Sequence, residues 1–280
     1  MSRRGIASLV DWLTVLKACA KSMKRQVRPL FGSAQAKQGY GIGAGGDVKK
    51  QIDLAAENAL VQTLQKHNVS CTLISEESGV MRIGESPSEF FVVADPVDGT
   101  ANAIRGLPFV NISLAVSRKP MLSDVNVALV ADVLRDVTYV AEKGKGAYKG
   151  RKRIKPSDTQ RLEEAMVGVD FSTFKTPQLV NRLVRILERT RHLRHLGANA
   201  LEICYVADGT SDAFIDIRGK LRITDIAAAY LILLEAGGII TTAEGGRLDA
   251  PLDPKQRVSF IAAANRQMHD VITNWLRPSR

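Results

Sequence analysis

The sequence predicts a layered α/β fold, and three observations carry that expectation. Short apolar runs of strand length end in acidic or glycine-rich turns through the first half, whereas strands and amphipathic helices alternate through the second. With 280 residues, 45% apolar and 24% charged, the chain can bury a sizeable core as one large or two small domains. Asp11 and Lys17 interrupt the first apolar segment, so it contains no membrane span.

From the amino terminus, Ser2-Arg3-Arg4 before an apolar stretch faintly imitates a secretory leader. The interruption at Asp11 leaves no signal core, and a cytoplasmic protein is expected. Leu9, Leu13, Leu16, Ala20, Met23 and Val27 recur at four- and three-residue steps and predict a helix. Residues 32–47 are rich in glycine and read as a mobile loop; the GxGxxG match at Gly41 to Gly46 has no preceding strand and carries little weight. Asp53 opens an amphipathic helix over 53–66. Buried strands follow over 71–74 and 90–94, then a meander of strands over 109–117, 126–132 and 137–142.

The basic, glycine-rich stretch 144–156 is the expected boundary between an amino-terminal half, 1–152, and a carboxyl-terminal half, 153–280. Beyond it, strands over 165–170, 192–196, 212–217, 239–242 and 258–263 alternate with helices over 178–190, 198–207, 225–236 and 267–276.

Chemistry concentrates in the acids. Asp95-Pro96-Val97-Asp98-Gly99-Thr100 ends a very apolar strand, where ligand crevices of α/β sheets open. Two carboxylates and the Val97 carbonyl would give all-oxygen ligation, suited to a hard cation such as Mg²⁺; an Asp-Pro-x-Asp-Gly stretch is also a common turn. Glu76-Glu77 ends another apolar strand, though such a pair is often a solvated loop. Asp53 and Asp225 each sit in the first turn of a helix, where an acid also complements the helix dipole. Together these acids fall at strand ends and helix starts in a chain of net charge +10, a pattern that gathers them to hold metal.

Glu76-Glu77, the segment Asp95 to Thr100, and Asp225-Ile226-Ala227-Ala228-Ala229 through Gly237-Gly238 resemble the signature segments of the inositol monophosphatase family. That family belongs to the metal-dependent, lithium-sensitive phosphatases together with fructose-1,6-bisphosphatase. The resemblance runs in order from about Leu9 to Leu276 and is closest to the archaeal branch through residues 75–80 and Ile217-Arg218. It implies a five-layer α-β-α-β-α sandwich of the sugar-phosphatase type and hydrolysis of inositol 1-phosphate, fructose 1,6-bisphosphate or both. It also implies two to three Mg²⁺ ions, Mn²⁺ as a substitute, Li⁺ as an inhibitor, and a homodimer.

By the same resemblance, Glu76, Asp95 and the Val97 carbonyl hold a first ion, while Asp95, Asp98 and Asp225 hold a second. A third, weaker ion touches Glu76. Asp53 and Thr100 orient the attacking water, the Gly99 and Thr100 amides cradle phosphate, and Gly197, Ala198, Asn199 and Asp216 bind substrate hydroxyls. The chain departs from the family pattern at Gln51, where threonine is usual, and at Thr224, where a bulky residue is common. It is also two residues longer between Asp216 and Asp225 than the animal enzymes.

The positive balance suggests an anionic partner. At 5% aromatic residues the chain is poor in stacking side chains, which argues against a nucleic-acid strand; the resemblance implies a small phosphorylated sugar or cyclitol as the partner. Arg194 and the alternating Arg218, Lys220 and Arg222 are candidates for a second phosphate, set against a solvated strand face. The basic run from Lys143 to Lys155 reads as a solvated turn. Three cysteines without CxxC spacing suggest a reducing compartment and no structural zinc. The rival readings are a 3′-phosphoadenosine 5′-phosphate or other nucleotide phosphatase, and a non-catalytic RNA- or polyanion-binding protein on this fold.

Overall fold

The structure, a computed structural model, describes residues 10–86, 89–172 and 177–276. The expected helix start at Leu9 lies outside these residues. Helix α1 (Trp12–Val27) begins at Asp11, whose carboxylate accepts the Thr14 N–H at 3.1 Å. A hairpin of β1 (Gly39–Ile42) and β2 (Val48–Lys50) then occupies the stretch expected as a loop. Its first strand is exposed along its whole length, so no burial pattern marked it in the sequence. Helix α2 (Gln51–Lys66) leads into β3 (Cys71–Ser75), β4 (Gly79–Ile83) and β5 (Phe91–Asp98).

The short helix α3 (Thr100–Arg105) precedes a meander of β6 (Asn111–Ser117), β7 (Val125–Asp132), β8 (Thr138–Glu142), β9 (Ala147–Lys149) and β10 (Lys152–Arg153). The basic run expected as a turn therefore supplies the edge hairpin of a sheet, where lysine and arginine discourage edge-to-edge pairing. The chain continues through β11 (Met166–Val169), α4 (Pro177–Arg189), β12 (His192–Arg194), α5 (Asn199–Ala207) and β13 (Ala213–Arg222). It ends with α6 (Ile223–Ala236), β14 (Ile239–Thr242), β15 (Arg257–Ala263) and α7 (Arg266–Leu276).

Eight strands in the order β10-β9-β8-β7-β6-β5-β3-β4 form one sheet, and five in the order β12-β11-β13-β15-β14 form another. In the larger sheet β3 and β5 are parallel and the remaining pairs antiparallel. Alternate residues of its strands enter different cores. Leu73, Val92 and Leu114 pack under α1 and α2, whereas Ile74, Val93 and Ala115 pack toward α5 and α6. Burial on both faces explains why these strands read as unbroken apolar runs.

Phe214 and Phe260 of the smaller sheet share the inner core with α5 and α6, and Ile215 and Ile261 join α4 and α7 on its other face. The layers are thus helices, sheet, helices, sheet, helices, the five-layer sandwich expected. The inner core is continuous between the two sheets. No helix among the described residues is long and apolar enough to cross a membrane.

Candidate active site

The carboxyl ends of β3 and β5 and the amino ends of α2, α3, α5 and α6 meet at a cleft of about 800 Å³. One oxygen each from Glu76, Asp95 and Asp225 lies within 4.8 Å of the others. Burial pushes the Glu76 and Asp95 carboxyls well above their ordinary range, and the neighbouring acids push them further. Burial raises Asp225 as well, against the opposing charge of Arg222. Three hard oxygen donors that disfavour joint ionisation fit a hard divalent cation, so the residues present suit Mg²⁺.

Two of the acids serve local structure at the same time. Asp53 accepts the Lys50 N–H at the start of α2, and Asp225 accepts the Arg222 N–H at the start of α6, each at 3.2 Å. The dipole reading holds at these positions, and both carboxylates also line the cleft. Asp98 does the same across the chain. Its Oδ1 accepts the Asn199 N–H at 3.0 Å, and its Oδ2 accepts the Ala200 N–H and the Asn111 side-chain amide at 2.7 Å each. Burial raises the Asp98 carboxyl to about 7 despite these donors. It lines the cleft but lies outside the close group of three.

Thr100 Oγ1 stands 2.9 Å from both Asp53 Oδ1 and the Val97 carbonyl oxygen. Burial raises Asp53 to about 6, with the Thr100 hydroxyl opposing the shift. Gly99 precedes α3 at φ 91°, and a Cβ there would meet the Phe109 carbonyl oxygen at 2.9 Å, so only glycine joins β5 to α3 without strain.

Gly197, Asn199 and Lys220, three of the residues expected to bind substrate, line the cleft. Four expectations are corrected in part or whole. Ala198 is buried and Asp216 is fully buried, and neither lines the cleft. Arg194 is exposed and lines a separate cavity of about 120 Å³ beside Glu202. Arg218 lines the cleft, but its guanidinium is committed within the protein. It donates to Asp216 at 3.1 and 2.5 Å, to Asp170 at 2.6 Å and to the Ser172 carbonyl at 2.7 Å. Two nearly buried carboxylates bind it from both sides and hold it away from a distal phosphate.

The residue that sequence reasoning undervalued is Arg222. Its Nη1 pairs with Glu76 at 2.9 Å and its Nη2 with Asp47 of the hairpin turn, while its buried Nε has no hydrogen-bond partner among the described residues. Arg257 also reaches this turn, donating to the Gly45 carbonyl at 2.7 Å. The signal available in the sequence was position: Arg222 ends the Arg218-Lys220-Arg222 alternation three residues before Asp225.

Fold and site define a layered α/β protein that gathers carboxylates at one sheet edge. Residues 10–279 match the model of the inositol monophosphatase family, and the chain belongs to that family. It is a phosphatase, a phosphoric monoester hydrolase. It is 40% identical over 274 residues to a fructose-1,6-bisphosphatase/inositol-1-monophosphatase of Methanothermobacter thermautotrophicus, covering 95% of this chain and 96% of that one. It is 37% identical to a bifunctional NADP phosphatase/NAD kinase of Methanococcus maripaludis, covering 93% of this chain and 48% of that protein. A crystal structure described as an inositol monophosphatase–fructose 1,6-bisphosphatase superposes with a TM-score of 0.84 at 32% identity, covering 95% of this chain and all of the other.

Proposed function

We propose that the chain is a Mg²⁺-dependent phosphomonoesterase of small phosphorylated sugars or cyclitols, with inositol 1-phosphate and fructose 1,6-bisphosphate as its substrates. The observation that supports this reading most is the approach of Glu76, Asp95 and Asp225 to within 4.8 Å beside the Asp53–Thr100 hydrogen bond. In this reading Glu76, Asp95 and the Val97 carbonyl hold one cation, and Asp95, Asp98 and Asp225 a second. When bound, such cations neutralise phosphoryl oxygens and make a water acidic enough to attack at neutral pH.

The chain's own residues then manage the proton and the orientation. The Thr100 hydroxyl has one proton and two acceptors at equal distance. When it donates to Asp53, its lone pairs remain to accept a proton from the attacking water, and the pair acts as a relay. A carboxyl raised to about 6 is ionised at neutral pH yet basic enough for that task. The Gly99 and Thr100 amides would receive a phosphoryl oxygen, and Gly197, Asn199 and Lys220 the substrate's other polar groups. Arg222 would balance the charge of Glu76, with which it pairs at 2.9 Å. A cytoplasmic homodimer completes this reading, and sedimentation velocity measures the second part of it.

The test is phosphate release from inositol 1-phosphate, fructose 1,6-bisphosphate, NADP and 3′-phosphoadenosine 5′-phosphate, with Mg²⁺ or Mn²⁺, with and without Li⁺. Release from the first two that needs the divalent ion and falls with Li⁺ is expected. Preference for either nucleotide, or undiminished release in EDTA, would overturn the assignment.

A further inference from the structure

A second cleft, of about 650 Å³, lies on the outer face of the eight-stranded sheet, with α1 as one wall and β7 and β8 beneath it. That volume is typical of a small-molecule site. Lys17, Lys21 and Lys24 of α1 and Arg28 just past its end follow one another at steps of four, three and four, so one stripe lines the cleft with cations, with Arg25 beside them and Arg28 also donating through Nε to the Val133 carbonyl at 2.6 Å. Asp136 is the one carboxylate that lines it among the described residues.

No ion pair joins Lys21, Lys24 or Arg25 to a carboxylate among the described residues. Lys24 is half-buried, and burial holds its ammonium below the usual lysine range. Lys24 feels the charges of Asp132 and Asp136 without pairing directly with either, so its desolvation remains costly, and an anion in the cleft would relieve that cost.

The floor is of another kind. Ala20, Pro29, Leu129 and Val140 present apolar surface, with the paired Leu129 and Val140 side by side on β7 and β8. Sugar hydroxyls laid on such a floor would lose their water without gaining partners, so a sugar phosphate matches poorly. No aromatic side chain among the described residues lines the cleft, which disfavours stacked nucleic-acid bases. An anionic group joined to an apolar ring satisfies both the cationic wall and the floor.

We propose that this cleft is a second ligand site, for a small phosphate ester with an apolar ring as its body, coupled to the catalytic cleft. The coupling runs through backbone. Arg28 and Pro29 begin the turn that follows α1, and four residues past Arg28 the Gly32 N–H donates to the Ala103 carbonyl of α3 at 2.8 Å. Helix α3 begins with Thr100. A ligand resting on Arg28 and Pro29 presses on the segment that braces the start of the proposed relay.

The experiment is calorimetric titration of the full chain with 1-naphthyl phosphate in EDTA. Without divalent ions the carboxylate-lined catalytic cleft repels a phosphate ester, so binding there does not compete. One site per chain is expected, weakened about tenfold or more in Lys21→Glu/Lys24→Glu and unchanged in Asp95→Asn. With Mg²⁺, saturating 1-naphthalenesulfonate, which cannot be hydrolysed, should change turnover of inositol 1-phosphate by about twofold or more in the wild type. It should change nothing in the double variant, whose basal turnover should match the wild type.

Unchanged binding in the double variant, or loss of binding in Asp95→Asn, would overturn the site. Inorganic phosphate binding as tightly as the naphthyl ester would overturn the role of the floor. An RNA oligonucleotide displacing the ester at lower concentration would make this face a nucleic-acid surface instead. Binding without any effect on turnover would overturn the coupling. None of the binding outcomes depends on which substrate the enzyme hydrolyses.

Discussion

Arg218→Ala separates a structural guanidinium from a phosphate-binding one. Arg218 and Asp170 are each 5% exposed at the side chain and Asp216 is fully buried, so the three form a nearly buried ion triad in the wall of the cleft. The arginine supplies four hydrogen bonds, three of them to carboxylate oxygens. Removing one partner of a buried pair costs about 3–5 kcal/mol, because the remaining charge stays buried without compensation. Here two carboxylates are left, so the upper half of that range is expected at pH 8. Against a total stability of about 5–15 kcal/mol such a loss is large.

The penalty should shrink on acidification, because burial already raises the Asp216 carboxyl and protonation removes the orphaned charge. Urea unfolding followed by circular dichroism at pH 8 and pH 5.5 measures both effects. Activity assays on the same variant give KM for a bisphosphate and a monophosphate substrate. A stability loss below about 1 kcal/mol, together with a tenfold rise in KM confined to the bisphosphate, would refute the structural assignment and return Arg218 to the distal phosphate.

Three further outcomes follow from the site. Thr100→Ala should lower kcat by about 10²–10⁴-fold with little change in the Mg²⁺ concentration giving half-maximal rate; a change confined to metal dependence would remove Thr100 from the relay. Because Asp53 is raised to about 6 and must be ionised to take a proton, kcat should fall as pH drops through 6, and a rate flat down to pH 5 would contradict its role as base. In EDTA, Tm should fall as pH rises from about 5.5 to 8.5. Glu77 and Asp98 titrate near 7 in the folded chain and near 4 unfolded, so the folded state holds the extra protons in that window and loses their stabilisation as they leave. Mg²⁺ at pH 8 should restore Tm, and a Tm that rises with pH in EDTA would contradict the burial-driven shifts.

What could be read from the chain beforehand follows the range of the interactions involved. Strand β5 announced itself because its residues are buried on both faces, and Asp95 and Asp98 stood out as charges ending such a run. Asp225 stood out because the helix that follows it is almost free of charge. The hairpin of β1 and β2 gave no such contrast: Tyr40, Ile42 and Val48 are exposed, and its turn is held by Arg222 and Arg257 from about 175 and 212 residues away. Arg218 misled for a related reason. Its alternation with Lys220 and Arg222 is a true strand pattern, but its acidic partners are Asp216 two residues back and Asp170 on another strand end, and Asp170 gave no signal as a counter-ion.

The first-turn acids show why a structural and a functional reading of one residue need not compete. Asp53 and Asp225 accept amides at the starts of their own helices, and Asp98 accepts two at the start of α5 from 101 and 102 residues away. The positive ends of three helices therefore converge on one acidic cluster, and each stabilises the charge beside it. That stabilisation is local and limited to the first turn, and the carboxyls of Asp53, Asp98 and Asp225 remain raised in spite of it. Helix ends and Arg222 together are thus too weak to hold the cluster fully ionised. The folded chain carries an unmet demand for positive charge at the same edge where the proposed site would receive a phosphate, and divalent cations would satisfy both needs at once.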